Sequence, residues 1–126
     1  MNGEHAQRLL DTSAVIKLMR ANLAIPHGSC VSFVTLAELR AGALKSRDPE
    51  QELQRIETTL AGARVLAPSA RTIAVYSDVW LELEIKGCRI KTNDLWNVAL
   101  AIEHDIELHA DDQHFGQIAK LKYVKI

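Results

Sequence analysis

Arg8-Leu9-Leu10-Asp11-Thr12-Ser13-Ala14-Val15-Ile16-Lys17-Leu18-Met19 changes its apolar period in the middle. Arg8 to Asp11 reads as a short buried strand entering a turn. Thr12 or Ser13 can cap the helix that follows, in which Val15, Ile16, Leu18 and Met19 keep helical spacing. Downstream the hand-over recurs. Pro26-His27-Gly28 breaks the chain, Cys30-Val31-Ser32-Phe33 is a second strand, and Thr35 to Lys45 a helix with Leu36, Leu39, Ala43 and Leu44 as apolar positions. Asp48-Pro49 starts another helix towards Leu60, Gly62 stops it, and Ala63 to Leu66 is a third strand. Pro68 and Ser69 open a long amphipathic helix through Val75, Val79, Leu83 and Ile85, ended at Gly87. Asn93 or Asp94 starts a helix whose body, Leu95 to Ile102, is apolar nearly all round and therefore buried on most faces. Ile106 to His109 is a fourth strand, Asp112 to Lys120 a short helix, and Tyr123 to Lys125 a last strand. Strands alternating with helices predict an α/β fold in three layers, a central mostly parallel five-stranded sheet with helices on both faces.

The bulk numbers fit one domain over residues 1–126, with 48% apolar and 25% charged residues. No stretch reaches the roughly 20 apolar residues that span a bilayer. Met1 to Arg8 lacks the apolar core of a signal peptide, so a cytoplasmic address is expected. Cys30 and Cys88 are far apart and read as free thiols, with no second Cys or His at metal-ligand spacing. The net charge of −1 does not mark a nucleic-acid binder, so any such site must come from local clusters of Lys and Arg.

In an open parallel sheet, sites form beyond the carboxyl ends of the strands. Asp11 ends the first strand there, and Asp111-Asp112 follow the fourth. Glu38 lies one turn into the helix after the second strand, and Asp94 opens the buried helix that feeds the fourth. Each acid alone has a plain structural reading: Asp11 as a cap, Asp94 as a partner of the helix dipole, Asp111-Asp112 as a turn. Glu38 has small or apolar helical neighbours (Val34, Thr35, Ala41, Gly42), which allow close approach of another element. Carboxylates gathered at one sheet edge repel each other and need a positive charge to offset them. Oxygen-only ligands suit Mg²⁺ or Mn²⁺, and a carboxylate-held ion can activate water for in-line hydrolysis of a phosphodiester.

At these same residues the chain resembles the PIN-domain family. Leu9-Leu10-Asp11-Thr12-Ser13 resembles its opening motif and Ala37-Glu38-Leu39-Arg40-Ala41-Gly42 its second. Asn93-Asp94-Leu95-Trp96 resembles the third, and Leu108-His109-Ala110-Asp111-Asp112-Gln113-His114-Phe115 the fourth. Four motifs in order, across essentially the whole chain, look most like VapC-type toxins of type II toxin–antitoxin pairs. The resemblance implies a PIN-like fold, a Mg²⁺- or Mn²⁺-dependent endoribonuclease, a homodimer, and a small VapB-like antitoxin whose tail covers the acidic pocket. It implies that Asp11, Glu38, Asp94 and Asp112 are the catalytic and metal-ligating acids, with Ser13 supporting the site by hydrogen bonding. Asp112 is taken as the fourth because the family's acid lies three residues before the Phe, here Phe115, although Asp111 stands beside it. Ala110 departs from the Thr the family often has two residues before that acid. Asn97, three residues after Asp94, either bonds towards the site or is a satisfied buried Asn.

An acidic site that holds RNA needs a basic rim. Lys86, Arg89 and Lys91 stand on the loop before Asp94, and Arg40 and Lys45 follow Glu38. For any one of them a solvated surface is the simpler reading, as it is for Lys120, Lys122 and Lys125. Trp80 and Trp96 can stack on bases, but both occupy apolar helix positions, which favours core packing. His114 is near enough to Asp112 to touch substrate, although a surface His is the plainer expectation. Two other classes compete. One is a catalytically silent PIN-fold binding protein, against which the four acids stand. The other is a phospho-receiver-like signalling domain, which needs an Asp after the third strand, where Leu66-Ala67-Pro68 stands instead.

Overall fold

A computed structural model of the chain describes residues 6–126. The leader-free reading of the first residues therefore falls, at residues 1–5, outside the described residues. Five strands, β1 (Arg8–Leu10), β2 (Ser29–Ser32), β3 (Arg64–Leu66), β4 (Glu107–Ala110) and β5 (Tyr123–Lys125), form one sheet in the order β3-β2-β1-β4-β5. All four pairings are parallel, with Leu9 opposite both Cys30 and Leu108. Five helices connect them: α1 (Thr12–Arg20), α2 (Phe33–Leu44), α3 (Pro49–Thr59), α4 (Ala70–Lys86) and α5 (Thr92–Glu103).

The strand alternation sorts the core into two halves. Leu9, Cys30, Leu108 and Ala110 face a cluster with Val79 and Leu83 of α4 and Leu95, Val98 and Leu100 of α5. Leu10 and Val31 face the other way, onto Val15 and Met19 of α1, Leu39 of α2 and Ile56 of α3. The three layers follow directly. Among the described residues, no helix is long and apolar enough to cross a membrane.

Local chemistry sets the helix ends. Of the three residues read as caps of α1, Asp11 takes the place and accepts from the Ala14 N–H. A carboxylate satisfies an orphan N–H as well as a hydroxyl does, and both Thr12 and Ser13 already lie inside the helix. Ser32 caps α2 two residues earlier than the sequence suggests, and Asp48 with Pro49 starts α3. Ser69 and Thr72 form a reciprocal box at the start of α4, and Gly87, at φ 70°, ends it in the left-handed region. The segment expected as a helix from Asp112 to Lys120 is a shorter 3₁₀ turn, Gln113–Gln117. Gly116 inside it and the absence of sustained apolar periodicity leave too little to propagate a full helix.

Candidate active site

β1 and β4 are adjacent although nearly the whole chain runs between them, so the strand order reverses at this pair. An open α/β sheet has its crevice at such a reversal, beyond the carboxyl ends. A pocket of about 570 Å³ opens there. Asp11, Glu38, Asp94, Asp111 and Asp112 all line it, together with Thr12, Ser13, Lys91 and Asn93.

Asp11 is the most enclosed of the five, 8% exposed. Its Oδ1 accepts from the Ser13 hydroxyl at 2.7 Å and from the Ala14 N–H at 2.9 Å. Burial raises its pKa more than these hydrogen bonds lower it, and Glu38 adds a smaller push upward. Asp94 stands in the first turn of α5. Burial raises its pKa too, followed by the charges of Asp11, Asp112 and Glu38, with Lys91 in partial opposition. The mutual repulsion is the electrostatic signature of one shared site.

Glu38 is positioned by neighbours from two other segments. The Thr12 hydroxyl donates to its Oε1 at 2.5 Å, and the Asn93 amide to its Oε2 at 3.2 Å. Behind Thr12 lies a buried polar row. The Thr12 and Thr35 hydroxyls are 3.4 Å apart, the Ser32 hydroxyl accepts from the Thr35 N–H, and it donates to Asn97 Oδ1 at 2.5 Å. Asn97 is thus a satisfied buried residue, 2% exposed, that steadies the start of α2 from α5 and does not line the pocket.

Asp112 and Asp111 differ in their partners. Asp112 Oδ1 accepts from the His114 N–H at 2.8 Å and lies 2.7 Å from His114 Nδ1, and the backbone bond chiefly holds its pKa below the usual carboxylate range. Asp111 faces Lys17 at 3.5 Å and Lys125 at 3.8 Å, and both lysines are surface residues as expected of Lys125. Asp94 responds to the charge of Asp112, while both Asp111 and Asp112 line the pocket. Tyr123 pins the whole turn: its hydroxyl bonds the Ala110 carbonyl at 3.0 Å and the Asp112 carbonyl, and accepts from the Asp112 N–H at 3.1 Å.

Among the described residues, no three His, Cys, Asp or Glu side chains stand close enough to cage one ion. Oxygen donors spaced this openly are the kind of set that a hard divalent cation would take only with several waters of its own. Of the basic residues read as a rim, Lys91 alone lines the pocket. Lys86 is turned to Glu82 at 2.8 Å and the Gln117 carbonyl at 2.7 Å. Arg89 lines a neighbouring cleft, and Arg40 faces the start of α3. His114 is largely solvent-exposed and outside the pocket lining. Trp96 packs as expected, against Tyr76 and Phe33. Trp80 does not: it is 50% exposed, because the core side of α4 is taken by Thr72, Val79 and Leu83. Sequence reading missed Thr12, Ser32, Thr35, Asn93 and Tyr123, whose roles depend on partners distant in the chain.

Fold and pocket together define a doubly wound α/β protein with an acidic crevice at its strand reversal. The chain belongs to the PIN-domain family, whose model matches residues 8–121. Among curated proteins it is similar to Ribonuclease VapC1 of Haemophilus influenzae, 34% identical over 126 residues that cover 91% of this chain and 94% of that one. It is also similar to Ribonuclease VapC5 of Mycobacterium tuberculosis, 27% identical over 132 residues, 100% of this chain and 98% of that one. Among solved structures it resembles VapBC-1 from nontypeable Haemophilus influenzae, with a TM-score of 0.81 and 28% identity over 94% of this chain and 96% of that one. DNA-bound VapBC from Salmonella typhimurium gives a TM-score of 0.86 at 22% identity, over 95% of this chain and 98% of that one, a likeness of fold alone. The phospho-receiver alternative falls, since β3 brings no carboxylate to the pocket and the family is a different one.

Proposed function

We propose that this chain is a divalent-metal-dependent endoribonuclease, the toxin of a toxin–antitoxin pair, working as one domain in the cytoplasm. The observation that carries the reading is the convergence of Asp11, Glu38, Asp94 and Asp112, from four separate segments, on one open pocket. Two of them, Asp11 and Asp94, hold their protons more tightly than free carboxylates. Folding that buries carboxylates and gathers their like charges is costly, and a cation would offset the cost. The ribonuclease names of the VapC relatives supply the substrate class.

Asp11, Glu38, Asp94 and Asp112 would hold Mg²⁺ or Mn²⁺. When bound, such an ion supplies a water of lowered pKa and neutralises charge on the phosphodiester under attack. The protein's own groups set the stage. Ser13 and the Ala14 N–H fix Asp11 through one oxygen and leave Oδ2 for another ligand. Thr12 and Asn93 aim Glu38. Lys91 offers the pocket's rim a positive charge for a phosphate. The partners we propose are an RNA substrate, a VapB-like antitoxin and a second copy of the chain. Complexes of the VapBC type among the solved relatives support the antitoxin. The exposed apolar residues Leu81 and Ile85 of α4 support the homodimer.

The test is cleavage of RNA by the purified chain. Activity should vanish with EDTA and return with Mg²⁺ or Mn²⁺. Full activity in EDTA, or in Asp11→Asn and Asp94→Asn variants, would sink this mechanism.

A further inference from the structure

A second cleft, of about 280 Å³, lies beside the acidic pocket, between α4 and residues 88–92. Resting on the ribonuclease reading, we propose that this cleft is a nucleobase subsite, where one base of the RNA strand stacks on Trp80.

Tyr76, Trp80 and Glu84 are spaced four residues apart and form one row along α4 on the cleft's helical wall. Arg89 and Ile90 line the facing loop. Trp80 lies off the buried stripe of α4, and half of it is open to solvent at the cleft. Tyr76 is held by Trp96, with ring centroids 4.4 Å apart, so the wall beside Trp80 is fixed in place. The cleft is smaller than the roughly 300–1,000 Å³ typical of whole-ligand pockets, which suits one ring system better than a nucleotide.

Position decides between a base and an unrelated ligand. Thr92 lines both the cleft and the acidic pocket, so the two spaces share a wall. Lys91 lies on the acidic side of that wall and Arg89 on the aromatic side. A strand whose phosphate sits at the acids would therefore pass two cations before its neighbouring base meets the indole. A base has a π-face for Trp80 and edge N–H groups for the Glu84 carboxylate. Among the described residues, neither Glu84 nor Arg89 is held in an ion pair.

The experiment compares wild type, Trp80→Ala and Trp80→Phe on a single-stranded RNA oligonucleotide that the wild type cuts. Trp80→Ala should raise KM about 10- to 100-fold with kcat nearly unchanged, and Trp80→Phe should recover most of the loss. In an Asp94→Asn background with Mg²⁺, the oligonucleotide should quench tryptophan emission, and Trp80→Ala or one abasic position should remove the quenching. Light scattering should give the same mass for all three proteins. An unchanged KM with no quenching overturns the subsite and leaves the ribonuclease reading intact. So does a KM rise that appears only with a change of mass, which would make Trp80 an assembly residue. If the wild type neither cuts nor binds RNA, the ribonuclease reading itself has failed and the subsite goes with it.

Discussion

Asp94 illustrates how a single side chain carries both cost and purpose. Its proton affinity is raised by burial first and by Asp11, Asp112 and Glu38 next. The folded chain therefore binds this proton more tightly than the unfolded chain does. Its contribution to stability is at its best below the unfolded value of about 3.8 and declines as pH rises through the folded value. Without divalent ions, Asp94→Asn should accordingly melt higher than wild type at pH 7, and the advantage should close as the pH falls towards 3. The same variant should lose at least about 100-fold in cleavage, since even residues that merely orient metal ligands are worth 10- to 100-fold. Melting curves across pH and a cleavage assay check the two halves; a variant less stable than wild type at pH 7 would contradict the charge argument. The motif around Asp94 was legible from sequence, but its environment was not. Nothing in Asn93-Asp94-Leu95-Trp96 reveals that the preceding Asn93 reaches Glu38, 55 residues away.

At the level of elements, α2 and α5 are coupled by a polar contact inside an apolar core. Ser32 is fully buried; it caps α2 and donates to Asn97. Ser32→Ala would leave the Asn97 oxygen unpaired and the Thr35 N–H uncapped. The expected loss is about 1–3 kcal/mol, read as a lower urea midpoint with an unchanged slope. A loss below about 0.5 kcal/mol would mean that the pairing contributes little. Helix identity was readable here, because apolar spacing and the breakers Pro26, Gly28 and Gly62 mark where elements stop. Ends were less so: Asp11, Thr12 and Ser13 all stood as caps of α1, and Asp11 takes the place, since a cap depends on which residue leaves helical dihedrals first. Trp80 was misread for a related reason. Apolar periodicity counts every large residue towards the core, and α4 carries more of them than its one buried stripe can accept.

For the molecule as a whole, the small net charge of −1 and a pocket with a single lining cation, Lys91, mean that metal rather than basic surface should govern RNA affinity. The slope of log K against log salt should stay near −1 to −2, at about −0.7 per phosphate neutralised on a single strand. Titration of binding against KCl at fixed Mg²⁺ measures it, and a slope steeper than about −4 would point to a broad basic face instead. Saturating Mg²⁺ should also stabilise the fold by about 2.7 kcal/mol at a hundred times its Kd, visible as a rise in Tm. The proposed homodimer has its own check. Leu81→Asp with Ile85→Asp should halve the mass in solution if the exposed stripe of α4 is the contact, and leave it unchanged otherwise. Layers and parallel strands were foreseeable from alternation alone. The order β3-β2-β1-β4-β5 was not, because periodicity says which face a residue takes and nothing about which strand it sits beside. That order has a consequence in time. The strand that leads into Asp11 pairs with Glu107–His109, so that edge of β1 stays open until those residues have been made. Asp112 follows the same strand, β4, so the acids of the pocket cannot gather before residues 107–112 are synthesised. A translation product cut short before Glu107 lacks β4 and Asp112, and on the ribonuclease reading it should not cleave RNA.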